Sequence, residues 1–176
     1  MASTNEVPGL DVDREFLAQI PIFGGLPAEV VERIARATRV LRVPAGVAVF
    51  EEGELARSMF IVRAGDVEIC KRGRDGADFC LAVLPPGACV GEMALIDIQP
   101  RSATVRAVTE ATMYIVDQKE IGSLHHTDRD VYTLLVLNIA REISRRLRYA
   151  DQVMVDLGIA VRGTWMDTPS PTAVSR

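Results

Sequence analysis

The sequence predicts a mainly β protein, an antiparallel jelly roll with helices at both ends, and three observations support this. Short runs rich in Val, Ile, Phe and Thr follow one another through the middle of the chain, separated by Gly, Pro and Asp turns. No helical segment lies between these runs, which argues against the crossovers of a parallel sheet. Apolar residues recur with helical spacing before residue 40 and after residue 117.

The first part of the chain is predicted to be a leader followed by two helices. Residues 1–12 are polar and are expected to form a flexible leader. A short amphipathic helix is expected at 13–20 and a second at 27–40, where Pro27 takes a position that helices tolerate. The domain itself is expected to cover residues 13–157.

The jelly roll is expected over about residues 40–117. Turn signals such as PAG, GRDG and PPGA bound the strand-like runs. Short strands at this spacing are typical of antiparallel sandwiches and jelly rolls. The predicted strands are 40–43, 46–50, 58–63, 66–72, 78–84, 103–108 and 111–116.

Helical spacing returns after the last strand. A short helix is expected at 118–124, followed by a break at 125–127. Asp128 is the expected N-cap of a long helix that runs to about Leu157. The residues from 158 to 176 include prolines and little apolar periodicity, so a flexible tail is predicted there.

The long helix carries an apolar stripe in steps of four and three, a spacing typical of a coiled-coil seam. We expect a homodimer through residues 130–157; packing of the helix on its own domain is the alternative. The arginines beside the stripe are expected to form a solvated face balanced by Glu142 and Asp151. The stripe consists of Val136, Ala140, Ile143, Leu147, Ala150, Met154 and Leu157, and the residues expected to pack inward are Val131, Leu134 and Leu135.

Charge and cysteine content narrow the possible functions. A net charge of −4 argues against broad binding of DNA or other nucleic acids, which needs a basic face. Cys70, Cys80 and Cys89 form no C-x-x-C pair, so a metal site is not predicted and buried, reduced thiols are expected. The start of the chain lacks a signal-peptide pattern, and no apolar stretch approaches the roughly 20 residues of a membrane span. The sequence therefore predicts a cytoplasmic protein without a membrane segment.

Residues 91–105 read GEMALIDIQPRSATV and combine one acid, one arginine and several small side chains. Gly91 would let a ligand approach the backbone, and EMALI could form a helical turn whose free N–H groups point at an anion. Arg101 offers a planar fork for two phosphate oxygens, and Ser102 adds a hydroxyl. Glu92 fits this site if it accepts a hydrogen bond from a ligand hydroxyl. The segment therefore predicts a sugar phosphate as ligand.

This segment resembles the phosphate-binding cassette of the cyclic-nucleotide-binding domain family, whose pattern is Gly-Glu, mostly apolar positions, and then Pro-Arg-small-Ala-Thr/Ser. The chain has Gly91–Leu95 and Pro100–Thr104 at these places, and the resemblance covers about Phe23 to Leu157. It implies a jelly roll that binds cAMP or cGMP and signals through its C-terminal helices. The supporting glycines also match: Gly46, Gly53 and Gly65.

The resemblance implies a role for each cassette residue. Glu92 would accept a hydrogen bond from the ribose 2′-hydroxyl, and Arg101 would pair with the cyclic phosphate. Leu95 would act as the hinge that couples the cassette to the helices, with Leu147 or Tyr149 near the base. The implied ligand-binding residues are Gly91, Glu92, Met93, Ala94, Arg101, Ser102 and Ala103.

The chain departs from the family pattern in three places. Val90 stands where an aromatic residue is usual. Ala150 and Asp151 stand where catabolite-activator members carry a Thr-Ser pair that touches the base, which leaves the choice between cAMP and cGMP open. DNA-binding members continue into a helix-turn-helix, and the last residues here form no helical pair. We therefore expect a stand-alone member that does not bind DNA and acts on an unknown downstream protein.

Two alternatives remain beside the nucleotide sensor. The first is a degenerate, non-binding member of the same fold that serves dimerisation or protein interaction; such members usually lack the glutamate or the arginine. The second is an enzyme, but Glu92 and Asp97 have no neighbouring histidine, metal cluster or activated nucleophile in the sequence, so catalysis is not predicted. His125 and His126 are expected to be surface residues.

Overall fold

The computed structural model describes residues 5–7, 11–73, 76–97 and 99–157. Within these residues the chain forms nine strands, four α-helices and two 3₁₀ turns, at Pro21–Phe23 and Glu92–Leu95. The strands and helices are β1 (Asn5–Glu6), α1 (Arg14–Gln19), α2 (Ala28–Ala37), β2 (Arg39–Val43), β3 (Ala48–Phe50), β4 (Ser58–Ala64), β5 (Val67–Arg72), β6 (Asp78–Leu84), β7 (Cys89–Val90), β8 (Thr104–Ala107), β9 (Ala111–Asp117), α3 (Gln118–Thr127) and α4 (Arg129–Asp156).

The strands form two antiparallel sheets. The first has the order β1-β2-β9-β4-β7 and the second the order β3-β8-β5-β6. Every neighbouring pair that defines these orders is antiparallel. The predicted antiparallel β fold with flanking helices is therefore confirmed.

One apolar core joins the two sheets. Successive side chains of a strand face opposite sides of the sheet, and alternate residues such as Phe60 and Val62 of β4 belong to this core. Both sheets contribute to the same buried cluster, so they pack face to face. The cluster consists of Leu41, Val43, Phe50, Phe60, Val62, Val67, Val90, Val105, Ala107, Ala111, Met113 and Ile115.

Two short strands, β1 and β7, lie outside the predicted set. β1 falls within the predicted leader, where Asn5 pairs with Arg42 and Glu6 with Leu41 across the ladder. The Glu6 carboxylate also forms an ion pair with Arg39. Each strand has only two residues, too few for an alternating pattern to show in the sequence. Residues 1–4 and 8–10 of the predicted leader and the predicted tail at 158–176 lie outside the described residues.

Aspartates begin α1 and α4. Asp13 Oδ1 accepts a hydrogen bond from Phe16 N at 2.9 Å, and Asp128 Oδ1 accepts one from Val131 N at 3.1 Å. The predicted N-cap of the long helix is therefore confirmed. The predicted break at 125–127 is wrong, because α3 continues to Thr127. Its last residues are polar and exposed, which suits the outer face of a helix as well as a loop.

The chain divides into two units, the first ending at Arg141 and the second beginning at Glu142. In the first unit, Val131 and Leu135 of α4 are buried as predicted, and Leu134, also predicted to pack inward, is partly buried. Ile139, which was not in the predicted set, is buried as well. Asn138 Nδ2 donates to the carbonyl oxygens of Ile22, at 3.1 Å, and Gly24, at 2.8 Å, so α4 is also held by hydrogen bonds in that unit.

The described residues of the second unit, considered by themselves, are the C-terminal part of α4 and Leu157. Glu142 forms ion pairs with Arg145 and Arg146 along the helix, as expected for arginines balanced by neighbouring acids. Leu147, Val155 and Leu157 are exposed, with exposed fractions of 50%, 70% and 68%. This part of α4 therefore presents apolar side chains to solvent.

The cysteines differ in burial. Cys70 and Cys89 are buried as expected, and burial is the main cause that raises the pKa of the Cys70 thiol. Cys80 is exposed, so the prediction of three buried thiols is wrong at this position. The reason is that Cys80 lies on β6, the edge strand of its sheet, where fewer neighbours cover a side chain.

None of the helices in the described residues combines the length and the apolar character that crossing a membrane requires.

Candidate functional site

The segment singled out in the sequence folds as two parts of different structure. We call residues 91–97 the Gly91 turn and residues 100–104 the Arg101 segment. The Gly91 turn contains the 3₁₀ turn Glu92–Leu95, which follows β7 directly. The Arg101 segment leads into β8. The predicted helical turn at EMAL is present, in its tighter 3₁₀ form.

Gly91 is required by both its backbone and its surroundings. Its φ is +71°, in the left-handed region that favours glycine. A Cβ atom at this position would overlap Nη1 of Arg101 and would lie 3.4 Å from the carbonyl oxygen of Ser58. The absence of a side chain at Gly91 therefore leaves room for the Arg101 guanidinium.

Hydrogen bonds within the Gly91 turn close it on itself. Ala94 N donates to Gly91 O at 3.1 Å, while Ile96 N and Asp97 N both donate to Met93 O, at 3.0 and 2.8 Å. Ala94 is one of the ligand-binding residues that the resemblance implies, and its N–H donates within the turn in this structure. A ligand that used this N–H would have to share it with Gly91 O or replace that bond.

Burial divides the side chains of the turn into two sets. Glu92, Ala94 and Leu95 are buried, with exposed fractions of 4%, 3% and 6%, whereas Met93 is 48% exposed. The 3₁₀ turn packs against β4 and α3. The predicted hinge residue Leu95 thus belongs to an element that contacts α3 directly.

Arg101 is a buried cation, with only 7% of its surface exposed. Its guanidinium carbon lies 4.1 Å from the ring centroid of Phe50 and 5.5 Å from that of Phe60, within the range of cation–π attraction. Its Nη1 donates to the carbonyl oxygen of Gly91 at 3.4 Å. Its Nε–H is buried and has no hydrogen-bond partner in the described part of the chain.

Burial is also the largest influence on the charge of Arg101. It lowers the pKa of the guanidinium, and the carboxylates of Glu54 and Glu92 act in the opposite direction. A buried cation with an unused donor costs free energy unless it acquires an anion or an acceptor. The Nε–H of Arg101 is the donor in this site that an anion or another acceptor could still use.

The loop after β3 holds the backbone of the Arg101 segment. Gly53 N donates to Arg101 O at 2.9 Å, and Arg101 N donates to Glu54 O at 2.8 Å. Leu55 and Pro100 form an isolated antiparallel bridge next to these bonds. The backbone on both sides of Arg101 is thereby fixed to residues about 50 positions earlier in the chain.

Two residues that the sequence did not single out, Glu52 and Lys71, complete this support. Lys71 Nζ donates to Ser102 O at 2.7 Å and to Glu52 Oε1 at 3.0 Å. Glu52 N donates to Thr104 Oγ1 at 3.0 Å. No local pattern distinguishes Glu52 or Lys71 from ordinary charged surface residues, so sequence reasoning could not have selected them.

The predicted ligand-binding residues differ in their contacts and in their burial. Gly91 and Arg101 are in contact, Glu92 is buried close enough to Arg101 to affect its pKa, and Ser102 has an exposed side chain. Ala103 is partly buried beside Ser102. The candidates for contact with a base, Leu147 and Tyr149, belong to the second unit and are 50% and 69% exposed. His125 and His126 are exposed as expected.

Fold and site together define a class: a two-sheet β sandwich with a buried arginine at a glycine turn. The family model for the cyclic nucleotide-binding domain matches residues 40–128, half of the chain, and the chain belongs to that family. The matched residues run from β2 to the end of α3 and include the whole candidate site. The resemblance noted in the sequence is thereby confirmed.

Relatives of this chain include regulators of two kinds. It is 27% identical over 143 residues to the CRP-like cAMP-activated global transcriptional regulator of Mycobacterium tuberculosis, covering 81% of this chain and 62% of the relative. It is 36% identical over 95 residues to the cAMP-dependent protein kinase regulatory subunit of Yarrowia lipolytica, covering 54% of this chain and 24% of that relative. The chain thus spans about three fifths of the length of the transcriptional regulator and about a quarter of the kinase subunit.

A solved structure supports the fold independently. The cyclic nucleotide-binding domain from Methylobacillus flagellatus superposes with a TM-score of 0.79 at 19% identity, covering 92% of each chain. At this level of identity the likeness concerns the fold alone.

In the described residues of the present chain, no group of three or more His, Cys, Asp or Glu side chains could hold a metal ion.

Proposed function

We propose that this chain is a sensor that binds cAMP or cGMP at the site formed by the Gly91 turn and the Arg101 segment, and that it signals through its C-terminal helices. The observation that carries the proposal is Arg101. It is a buried guanidinium with an unused Nε–H, lying beside a glycine whose missing side chain leaves space for it. A cyclic phosphate supplies the negative charge and the acceptor oxygens that this arrangement needs.

The acid beside the arginine supports a ligand with a hydroxyl as well as a phosphate. Glu92 is buried in the same site, at 4% exposure, and a carboxylate there repels a lone phosphate. In our assignment Glu92 accepts a hydrogen bond from the ribose 2′-hydroxyl while Arg101 pairs with the phosphate. Gly91, Met93 and Ala94 contribute backbone groups to the same cradle.

The remaining contacts follow from the family resemblance. Ser102 and Ala103 lie beside Arg101, where a hydroxyl and backbone N–H groups can reach phosphate oxygens. Leu147 and Tyr149 are proposed to lie near the base. The exposed Ser102 hydroxyl is compatible with either purine nucleotide, so both cAMP and cGMP are retained.

Signalling is proposed to run from the Gly91 turn to α3 and α4. Leu95 is buried in a turn that packs against α3, so a shift of the turn on binding would move a side chain at that contact. A ligand shifts such an equilibrium only by its differential affinity for the two states. The resulting change in the helices would then be read by a downstream protein.

We further propose a homodimer through residues 130–157. The predicted seam supports this, because Ala140, Leu147, Ala150 and Leu157 are exposed in the single chain. A helix that presents an apolar stripe in heptad spacing is stabilised when a second helix covers it. Leu147→Asp should convert the dimer to a monomer in sedimentation velocity, and a wild-type chain that sediments as a monomer would contradict the dimer.

The cytoplasm is the compartment we propose, since Cys70 and Cys80 are thiols in this structure and thiols stay reduced there. We also propose a regulatory rather than catalytic role. The relatives reported above are regulators, and the site holds a charge pair for binding without an activated nucleophile. Incubation with cAMP should leave the nucleotide intact, and production of AMP would contradict this part of the proposal.

Calorimetric titration of the purified chain tests the proposed function. cAMP or cGMP should bind with one site per chain, whereas 5′-AMP, which has the same base and sugar with an opened phosphate, should bind at least tenfold more weakly. Cyclic di-GMP serves as a bulkier comparison and should not bind. A chain that binds neither cAMP nor cGMP would instead be the degenerate interaction module of this fold.

A further inference from the structure

Lys71 contacts the candidate site from outside, through the backbone of Ser102. Its Nζ donates to Ser102 O at 2.7 Å and to Glu52 Oε1 at 3.0 Å. Lys71 lies on β5. This strand pairs with β8, the strand into which the Arg101 segment leads. One ammonium group therefore connects a strand, a loop and the segment that carries Arg101.

Glu52 is itself held on three sides, so this contact differs from an ordinary surface ion pair. Its Oε2 accepts a hydrogen bond from Arg72 N at 3.2 Å, and its own N–H donates to Thr104 Oγ1 at 3.0 Å. The hydrogen bond from Lys71 is the largest cause that lowers the pKa of the Glu52 carboxyl. The Lys71 side chain is 50% exposed and that of Glu52 33%, but both ends of the contact are fixed by further bonds.

The hydrogen-bonded carbonyl groups of Arg101 and Ser102 determine where the N–H groups of Ser102 and Ala103 point. In a planar trans peptide the C=O and the following N–H point in opposite directions, and the described peptide bonds include no cis bond. Gly53 N holds Arg101 O, which directs the Ser102 N–H away from the loop after β3. Lys71 holds Ser102 O, which directs the Ala103 N–H away from β5.

We propose that Lys71 is a positioning residue for the phosphate of the bound nucleotide. It acts without touching the ligand: by holding Ser102 O together with Glu52, it fixes the peptide between Ser102 and Ala103 in the orientation in which the segment after Arg101 receives a phosphate. This inference rests on the proposed function. It adds a second support to Arg101, whose own backbone is held by Gly53 and Glu54.

The chain offers a matched control, because it contains a second lysine in a simple surface contact. Lys119 Nζ lies 3.9 Å from Glu120 Oε1, and the two side chains are 77% and 35% exposed. Lys71→Met and Lys119→Met remove the same charge and replace it with an unbranched, uncharged side chain of similar length. Lys71→Arg keeps the donor and the charge, so it should restore what Lys71→Met loses.

Calorimetry with cAMP and cGMP on the full chain tests the proposal. Lys71→Met should weaken binding by about 5- to 20-fold, the range expected for loss of a hydrogen bond from a charged group. Lys119→Met should bind like the wild type, and Lys71→Arg should recover to within about twofold. The melting temperature of the ligand-free Lys71→Met chain should stay within about 2 °C of the wild type, since the contact is half exposed.

A double-mutant cycle distinguishes a positioning role of Lys71 from a general destabilisation of the domain. In an Arg101→Lys background, which no longer offers a fork to the phosphate, the effect of Lys71→Met should shrink to about twofold or less, because the two changes act on one contact. Equal effects in both backgrounds, or wild-type affinity in Lys71→Met, would overturn the inference alone. A wild-type chain that binds neither nucleotide would overturn the proposed function and this inference together.

Discussion

The two halves of the candidate site are held by different kinds of contact. The Arg101 segment is fixed by hydrogen bonds to distant residues: Gly53 N to Arg101 O, Arg101 N to Glu54 O and Lys71 Nζ to Ser102 O. The Gly91 turn is closed by bonds within itself, such as Ala94 N to Gly91 O, and is placed by side-chain packing against β4 and α3.

This difference assigns separate tasks to the two halves. A segment fixed by several long-range hydrogen bonds is suited to receive a charged group in a set position. A turn that depends on packing can adopt a second arrangement at lower cost, and its contact with α3 gives a route to the helices. We therefore expect changes in the Arg101 segment to alter affinity, and changes to the packed side chain of Leu95 in the Gly91 turn to alter stability and coupling.

Arg101→Ala should have the largest effect on binding. Loss of one partner of a buried charge pair costs on the order of 2–5 kcal/mol of binding free energy. Calorimetric titration with cAMP and cGMP measures this loss, and Arg33→Ala on the exposed face of α2 is the matched control. Unchanged affinity in Arg101→Ala would contradict the role of the Arg101 segment.

Leu95→Ala should mainly reduce stability. Leu95 is 6% exposed, and truncation of a buried leucine costs about 2–5 kcal/mol of the free energy of unfolding. Met93→Ala in the same turn removes a side chain that is 48% exposed and should cost less than about 1 kcal/mol. Urea unfolding of the two variants compares them directly. Equal losses would show that packing at Leu95 does not hold the turn.

Gly91→Ala should weaken both stability and binding, by roughly 1–3 kcal/mol each, because the new Cβ overlaps Arg101 Nη1 at a positive φ. Gly46→Ala is the control for backbone strain alone. Its φ is +79° and its Cβ would meet nothing within 4 Å. Both variants should lose stability, but only Gly91→Ala should lose affinity for the nucleotide. A similar loss of affinity in Gly46→Ala would indicate a general effect of strain.

The smallest expected effect is a pH dependence at Glu52. Its folded-state pKa lies below the ordinary value of 4.5, mainly because Lys71 donates a hydrogen bond to it. The stabilisation is therefore present above pH 4.5 and is lost as the pH falls through the folded-state pKa. The difference in melting temperature between wild type and Glu52→Gln should shrink toward zero below pH 4.5. A difference that stays constant from pH 7 to pH 3.5 would contradict this, and Glu120→Gln provides the comparison.

The sequence predicts the residues of the Gly91 turn and the Arg101 segment better than the residues that support them. Gly91, Glu92 and Arg101 are selected by residue type and spacing, and the structure brings Gly91 and Arg101 into contact. Glu52 and Lys71 act through long-range contacts with a carbonyl oxygen and a hydroxyl, which leave no local pattern in the sequence. The cation–π contacts of Arg101 with Phe50 and Phe60 were missed for the same reason.

For the fold, too, local sequence patterns predict more than long-range pairing does. The seven longer strands are rich in apolar and β-branched residues and are bounded by turn residues, so their positions follow from composition and turn signals. β1 and β7 have two residues each, and only pairing with β2 and β4 defines them. The break expected at 125–127 failed because polar residues fit the exposed face of α3.

The central claim is that Glu92 and Arg101 bind opposite edges of one nucleotide. A double-mutant cycle in which one change is made in the ligand and the other in the protein tests it most directly. cAMP and 2′-deoxy-cAMP are titrated by calorimetry into the wild type and into Glu92→Ala. The wild type should lose about tenfold or more in affinity without the 2′-hydroxyl, in line with a hydrogen bond to a charged group. Glu92→Ala should bind the two nucleotides equally. Equal binding by the wild type, or a preference for cAMP that survives in Glu92→Ala, would contradict the assignment.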